Sequence, residues 1–219
     1  MEILGSEILS NILYLIAQSL FIPVIIVVLI FITYAILSLG GFLTEYFSRT
    51  KFGVDKTEKL VRSISKSSTP EEMKEKVEES ELQGHNKEIL IKIISNHDIG
   101  TKSRRAIATK LIEEEELEFS SMTQKTDILV RLAPTVGLLG TLIPLGPGLA
   151  ALGSGDLDTL SQALMVAFDT TITGLAAGSI AFIISGYRKK WYNDDLSILE
   201  AIVESTLEAL DKCQRKESF

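Results

Sequence analysis

The stretch RLAPTVGLLGTLIPLGPGLAALGSGD, residues 131–156, decides the fold because it is almost wholly apolar and yet rich in residues that disfavour helices. It holds three of the five prolines and six of the fifteen glycines of the chain. Inside a helix, proline costs about 3 kcal/mol and glycine about 1 kcal/mol relative to alanine. In a membrane, however, small residues let two helix backbones approach closely. The composition therefore favours a packed membrane helix.

Three charge-poor blocks predict three transmembrane helices in this chain of 219 residues. Residues 8–40 and 132–155 contain no charged side chain, and residues 159–187 contain only Asp169. Each block exceeds the roughly 20 apolar residues that cross about 30 Å of hydrocarbon as a helix. The first block is too long for a signal peptide and lacks a preceding Lys or Arg, so we expect it to be retained. We predict an all-α integral membrane protein with three transmembrane helices, the second and third extending into a cytoplasmic helical region.

The positions of Lys and Arg indicate which side of the membrane each segment occupies. Of the 22 basic residues, 15 lie between Gly41 and Asp127 and six lie after Gly186. None precedes Arg49, and none lies in the turn between the second and third blocks. Because basic segments stay preferentially inside, we expect a multi-pass cell-membrane protein with its N-terminus outside and its C-terminus in the cytoplasm.

The same pattern divides the chain into four segments. We predict an outside N-terminus with the first transmembrane helix at 1–40, a cytoplasmic helical loop at 41–128, the second and third transmembrane helices at 129–190 and a cytoplasmic C-terminal helix at 191–219. The first helix, about Ile12 to Leu39, has Pro23 as its one helix-breaking proline.

Two short helices are predicted in the loop. Thr69, Pro70 and Glu72 match a capping box with proline at the first helical position, which predicts a helix of about three turns. A second helix is predicted with Asn86 as its N-cap. Its buried face is predicted to contain Ile89, Ile93 and Ile94.

The segments flanking the second and third blocks predict long helices. No Gly or Pro interrupts residues 101–133, so we expect one helix running from the cytoplasm into the second span. After the third span, an apolar stripe at helical spacing is formed by Leu196, Leu199, Val203, Leu207 and Leu210. Its partner is either the 101–130 helix or a neighbouring subunit.

Small residues predict how the second and third spans pack. Gly137 and Gly140 give the second span a small face, and Gly174 and Gly178 give one to the third at the spacing of close-packed membrane helices. We expect residues 144–148, with two prolines and two glycines, to bend or unwind the outer half of the second span.

Polar residues within the spans predict a function beyond packing. Counted at about 1.5 Å per residue from the charged flanks, Thr141 and Thr171 both fall near the middle of the bilayer and could face one another. A carboxylate such as Asp169 costs about 2.5 to 3.5 kcal/mol at the bilayer centre, so it is expected to face a wet or protein-lined interior. An ionisable group at this depth is a candidate for an ion or proton path.

Other classes of function are disfavoured by composition. A single cysteine excludes intrachain disulfides and cysteine-rich metal sites, and the only histidines, His85 and His97, are predicted to lie on the surface of soluble helices. The run EEEE at 113–116 points to several sides of a helix and predicts a solvated face with Lys110 beside Glu114. The net charge of −7 and the absence of a phosphate loop or catalytic set predict no nucleic acid, metal or cofactor and no enzyme.

The segments APTVGLLGT at 133–141 and TTITGLAA at 170–177 resemble the MotA/TolQ/ExbB proton channel family. The resemblance implies a homopentamer, surrounded by lipid, whose second and third spans line a central pore. It also implies that the pore holds the single helices of a dimeric partner similar to ExbD or MotB. In that family the partner supplies a titrating aspartate that threonines surround, and Thr141 and Thr171 correspond to such threonines.

The function predicted from these residues is that of a pore-forming subunit of an ion-driven, most simply proton-driven, energy-transducing or motor complex. It would couple ion flow to rotation around the partner. The alternative is a non-conducting membrane scaffold that recruits a cytoplasmic partner. The candidate ion pathway comprises Thr141, Thr171, Thr170, Asp169 and Thr173.

Two positions depart from the family pattern. Pro144 stands where a glycine is usual, and Asp169 stands where an apolar residue is usual. We hypothesise that Asp169 accepts a hydrogen bond from Thr173 or joins the ion path; the alternative is a structural hydrogen bond to a neighbouring helix.

Overall fold

All regular secondary structure is helical in the computed structural model, which describes residues 4–49 and 52–217. The helices are α1 (Leu4–Ser19), α2 (Phe21–Ser48), α3 (Val54–Ser65), α4 (Pro70–Glu79), α5 (Gly84–Ser95), α6 (Thr101–Gly153) and α7 (Leu157–Glu217). Three helical stretches are long and apolar enough to cross a membrane: Glu7–Ser48, Thr101–Gly153 and Leu157–Arg215. The predicted fold class, an all-α multi-pass membrane protein, is confirmed.

The first membrane-spanning stretch is not one helix as predicted, because it is interrupted at Leu20 between α1 and α2. Pro23, the third residue of α2, explains the interruption. It has no N–H to donate to the carbonyl of Ser19, and its ring clashes with that carbonyl in a continuous helix. The helical hydrogen bonds resume at once, since Val24 N donates to Leu20 O at 3.0 Å.

Residues 4–48 and 123–187 form one compact unit, here called the membrane unit. It contains α1, α2, the second half of α6 and the first half of α7. One cluster of its buried apolar residues consists mainly of alanines: Ala35, Leu129, Ala133, Ala177 and Ala181. Small side chains at the core allow these helices to lie close together.

Residues 144–148 were expected to bend or unwind the second span, and the unwinding alternative is wrong, because α6 stays helical through Pro134, Pro144 and Pro147 to Gly153. A proline leaves the carbonyl four residues earlier without its helical donor. For Pro147 that carbonyl belongs to Ile143, and the side-chain amide of Gln18 donates to it at 3.4 Å. A polar side chain of α1 thus satisfies a group that the proline frees, as membrane helices with internal prolines require.

Residue 49 and residues 52–122 and 188–217 form a second compact unit, here called the loop-and-tail unit. Its core consists of large aliphatic residues from α3, α4, α5 and the adjoining parts of α6 and α7. Of the predicted stripe on α7, Leu196 is half-buried and the other four residues are buried in this core. The stripe therefore packs within the chain, against α6 at Ala108 and Leu111 and against the loop helices.

The loop helices were predicted in part. Thr69 caps α4 as expected, with its hydroxyl accepting from Glu72 N at 3.3 Å, while the Glu72 carboxylate accepts from Ser68 N at 2.7 Å. Asn86 is not the N-cap of α5, because that helix begins at Gly84 and its first hydrogen bond ends on the carbonyl of Gln83. Helix α3 was not predicted, and no side-chain cap marks its start.

The predicted face of α5 is confirmed, since Ile89, Ile93 and Ile94 are all buried. The glutamate run of α6 differs from its prediction, because Glu115 is buried while its three neighbours are exposed. Lys110 lies 3.9 Å from Glu113, one residue before the expected partner.

Candidate ion-pathway site of the membrane unit

The closest approach between α6 and α7 occurs at two glycines. A Cβ atom added to Gly174 would lie 2.6 Å from the carbonyl oxygen of Ala133 and 2.9 Å from the Cα of Gly137. One added to Gly137 would lie 3.0 Å from the carbonyl oxygen of Thr170. Since these neighbours are backbone atoms, neither position has room for a side chain. The two helix backbones are in direct contact here.

Two further glycines accommodate side chains of the facing helix. A Cβ at Gly140 would lie 2.7 Å from the side chain of Thr170, and one at Gly178 would lie 2.8 Å from the ring of Pro134. Gly148 does the same for Ala163 at 2.8 Å. The sequence reasoning assigned Gly148 to a bend or unwound segment and missed this contact.

Thr170 is a packing residue of this contact. It is buried, and its hydroxyl donates to the carbonyls of Val166 and Ala167, both at 3.0 Å. Its side chain occupies the notch that Gly140 leaves. The hydroxyl therefore bonds within α7, and the contact of Thr170 with α6 is the packing of its side chain against Gly140.

Thr171 differs from its neighbour. Its Oγ1 atom is buried, yet within residues 4–49 and 52–217 no group forms a hydrogen bond with it. A threonine hydroxyl can donate one hydrogen bond and accept others, and leaving such a group unpaired when buried costs about 1–3 kcal/mol. Thr171 is therefore the candidate threonine whose hydroxyl has no hydrogen-bond partner among the described residues, whereas the hydroxyls of Thr141, Thr170 and Thr173 bond to backbone carbonyls.

Thr141 lies one turn beyond Gly137, the residue whose added Cβ would be 3.6 Å from the Cα of Thr171. Its side chain is half-buried. The hydroxyl of Thr141 donates to Leu138 O at 2.6 Å. The hydroxyl proton of Thr141 is thus used within α6, and its oxygen keeps the capacity to accept a hydrogen bond.

The hydrogen bond expected from Thr173 to Asp169 is present, but it does not involve the Asp169 side chain. The Thr173 hydroxyl donates instead to the backbone carbonyl of Asp169, at 2.7 Å. A hydroxyl on a helix reaches the carbonyl four residues earlier in the ordinary way. The Asp169 side chain is exposed in the single chain.

A polar link between α6 and α7 was missed by the sequence reasoning, which used Asp127 only as a charged flank. The hydroxyl of Ser185, a buried residue, donates to the Asp127 carboxylate. The two residues are 58 positions apart. No local pattern marks such a pair, because it depends on the register between two antiparallel helices.

The similarity of this chain to known proteins includes the segments that carry these glycines and threonines. The profile of the MotA/TolQ/ExbB proton channel family matches residues 57–201, more than half of the chain, including both glycine-bearing segments. A protein of Methanothermobacter thermautotrophicus, named as a homologue of the biopolymer transport protein ExbB, is 30% identical over 191 residues. The alignment covers 80% of this chain and 65% of that relative. The chain belongs to the MotA/TolQ/ExbB proton channel family.

Proposed function

We propose that this chain is the pore-forming subunit of an ion-driven energy-transducing complex, in which ion flow is coupled to rotation around a small single-span partner. The observation that carries the proposal is the buried, unpaired hydroxyl of Thr171 beside the closest contact of α6 and α7. Membership of the proton channel family supports the same reading.

The α6–α7 pair is suited to act as a rigid wall of a pore. At Gly137 and Gly174 the two backbones touch with no side chain between them. The hydrogen bond from Ser185 to Asp127 adds a polar link. Five copies would arrange these walls around one axis, with Thr141, Thr171, Thr170, Asp169 and Thr173 as the pathway set. Each wall is held together by the close contacts between α6 and α7 at Gly137, Gly140, Gly174 and Gly178.

Asp169 supports an assembly larger than one chain. Its side chain is exposed in the single chain, and a carboxylate exposed to hydrocarbon costs at least about 2.5 kcal/mol. A neighbouring copy, a partner helix or pore water removes that cost. In contrast, apolar residues such as Ile22 and Leu37 are exposed on α2 and suit a lipid-facing surface.

The partner has the chemistry that the threonines lack. The Thr171 hydroxyl can both donate and accept a hydrogen bond, and the Thr141 oxygen can accept one from water, in each case without a fixed charge. A titrating carboxylate on a dimeric ExbD- or MotB-like helix would carry the proton past them. We place residues 41–128 and 191–219 in the cytoplasm and the N-terminus outside, following the distribution of Lys and Arg.

The test is proton flux into vesicles containing the full complex with its copurified partner. Thr171→Val removes the hydroxyl at nearly constant volume and should lower flux by about tenfold, the effect of losing about 1.4 kcal/mol of hydrogen bonding in the transition state. The matched control is Thr33→Val, since Thr33 is exposed on α2 and its hydroxyl donates to Leu29 O. Wild-type flux in Thr171→Val, with assembly intact, would remove Thr171 from the pathway, and a wild-type complex without flux above that of empty vesicles would favour the non-conducting scaffold.

Asp169 is tested separately by Asp169→Asn in the same vesicles. If Asp169 belongs to the path, flux falls and its pH dependence changes. Unchanged flux assigns Asp169 to a structural contact and removes it from the pathway set.

A further inference from the structure

A histidine and two glutamates converge in the loop-and-tail unit, away from the ion-pathway residues. His85 lies in the first turn of α5, and Glu115 and Glu118 lie one turn apart on the same face of α6. One side-chain ligand atom from each of the three lies within 4.8 Å of the others. The set combines an imidazole nitrogen with carboxylate oxygens.

Glu115 gives this group a buried acceptor. Its side chain is only 4% exposed, and its Oε2 atom contacts His85 Nε2. Within the described ranges the imidazole of His85 is the one group that pairs with Oε2, and no other donor bonds to it. A buried carboxylate in this position is costly unless a protonated imidazole or a metal ion balances its charge.

The surroundings are those of a cation site. The three residues line a pocket of about 200 Å³ together with Glu88, Glu114 and Lys92. Four carboxylates thus face one lysine and one histidine, so the pocket has an excess of negative charge when His85 is neutral. His85 and Glu118 are exposed and free to adjust their side chains, while Glu115 is fixed by burial.

We propose that His85, Glu115 and Glu118 bind one divalent transition-metal ion, with Zn²⁺ as the best representative and water completing its coordination. Zinc accepts imidazole nitrogen at about 2.0–2.1 Å and carboxylate oxygen at about 2.0–2.2 Å. The ligand atoms lie within 4.8 Å of one another and would have to approach a common ion, and the exposed side chains of His85 and Glu118 are the ones free to move. Calcium and magnesium prefer all-oxygen sites, so the histidine selects against them.

This site was not predicted from the sequence, which led us to expect no metal. Four consecutive glutamates on one helix do not converge on one ion. The ligands instead are Glu115 from that run, Glu118 one turn later on α6, and His85 from α5. A bound ion would link α5 to α6 and stabilise the folded loop-and-tail unit, because it binds only the folded state.

The test uses the full-length complex without a histidine tag, stripped with a chelator and titrated with Zn²⁺ against a competing indicator. We expect one zinc per chain in the wild type. His85→Ala and Glu118→Gln should each weaken binding by about tenfold or more, as losing even an outer-shell partner does. The matched control is Glu116→Gln, because Glu116 is exposed in the same run and does not line the pocket.

A second measurement distinguishes zinc bound at His85, Glu115 and Glu118 from zinc bound at other residues. The chain has one cysteine, Cys213, and one other histidine, His97. Replacing zinc with Co²⁺ should give d–d absorption without a sulfur charge-transfer band, and His85→Ala should abolish it. The proposal is overturned if the wild type binds no zinc stoichiometrically, if both ligand variants bind like wild type, or if the cobalt spectrum shows thiolate ligation.

Discussion

The membrane unit and the loop-and-tail unit are both helical, yet residues of very different size hold their helices together. Alanines make up most of the buried cluster around Ala133 in the membrane unit, and the closest contact between α6 and α7 is made by Gly137 and Gly174. The core of the loop-and-tail unit is made of large side chains such as Ile93 and Leu199, both fully buried. The difference follows the solvent, because water drives large apolar groups into a core, whereas lipid does not.

Opposite kinds of substitution should destabilise the two cores. A core of large side chains is weakened most by making a residue smaller, because a cavity remains. A backbone contact between glycines is weakened most by making a residue larger, because nothing can move aside. Substitutions in each unit can therefore break or sharpen the comparison.

The largest effect is expected for Leu199→Ala in the loop-and-tail unit. Leu199 is 0% exposed, and truncating such a leucine costs about 2–5 kcal/mol. The chain's one tryptophan, Trp191, is buried in this unit, so its fluorescence during denaturant unfolding reports the loss. The control is Val54→Ala at an exposed position of α3, and an equal loss for both variants would contradict a packed aliphatic core.

A smaller loss of stability, caused by overpacking and not by a cavity, is expected for Gly174→Ala in the membrane unit. The added methyl would lie 2.6 Å from the Ala133 carbonyl oxygen, and overpacking of this kind costs about 1–3 kcal/mol. Unfolding in mixed micelles, followed by circular dichroism, measures it.

Gly186→Ala is the matched control for Gly174→Ala, on the same helix. Nothing lies within 4 Å of a Cβ added there, so this substitution should leave stability unchanged or raise it by up to about 1 kcal/mol through helix propensity. If Gly174→Ala also raised stability, the backbone contact between α6 and α7 would be refuted.

Helix capping should matter in both units, because helix ends that face water need the same hydrogen bonds. In the loop-and-tail unit, Thr69→Ala removes the acceptor for Glu72 N and should cost about 1 kcal/mol. Ser68→Ala, one residue earlier, should change stability by less than about 0.5 kcal/mol. Denaturant unfolding that gave the two variants the same midpoint would argue against the cap.

The smallest effect is a pH dependence at the start of α7. Hydrogen bonds from the Thr159 hydroxyl and backbone N–H hold the pKa of Asp156 below its usual value of 3.8. A carboxyl whose folded-state pKa is lowered stabilises the fold above its unfolded pKa and loses that contribution as the pH falls through the folded value. Asp156→Asn keeps a capping residue without a charge.

The measurement for Asp156 is the stability difference between wild type and Asp156→Asn across acid pH. The difference should shrink as the pH falls from about 5 through 3.8 and below. A difference independent of pH would show that the Asp156 charge contributes nothing to the cap.

Features set by neighbouring residues were predictable from the sequence. The charge-poor blocks gave three membrane-spanning stretches, because crossing hydrocarbon requires a length and composition that are visible in the chain. The Thr69 cap and the apolar stripe of α7 also depend on spacings of three or four residues. The GLLGT and TTITGLAA segments led to the family that the profile match supports.

Features that join distant parts of the chain were decided only by the tertiary structure. Pro147 stays within α6, and Gln18 from another helix donates to the carbonyl that this proline frees. Glu115 is buried and contacts His85, which α5 places beside it. In each case the partner lies dozens of residues away, so the outcome depends on helix register and packing, which no local pattern records.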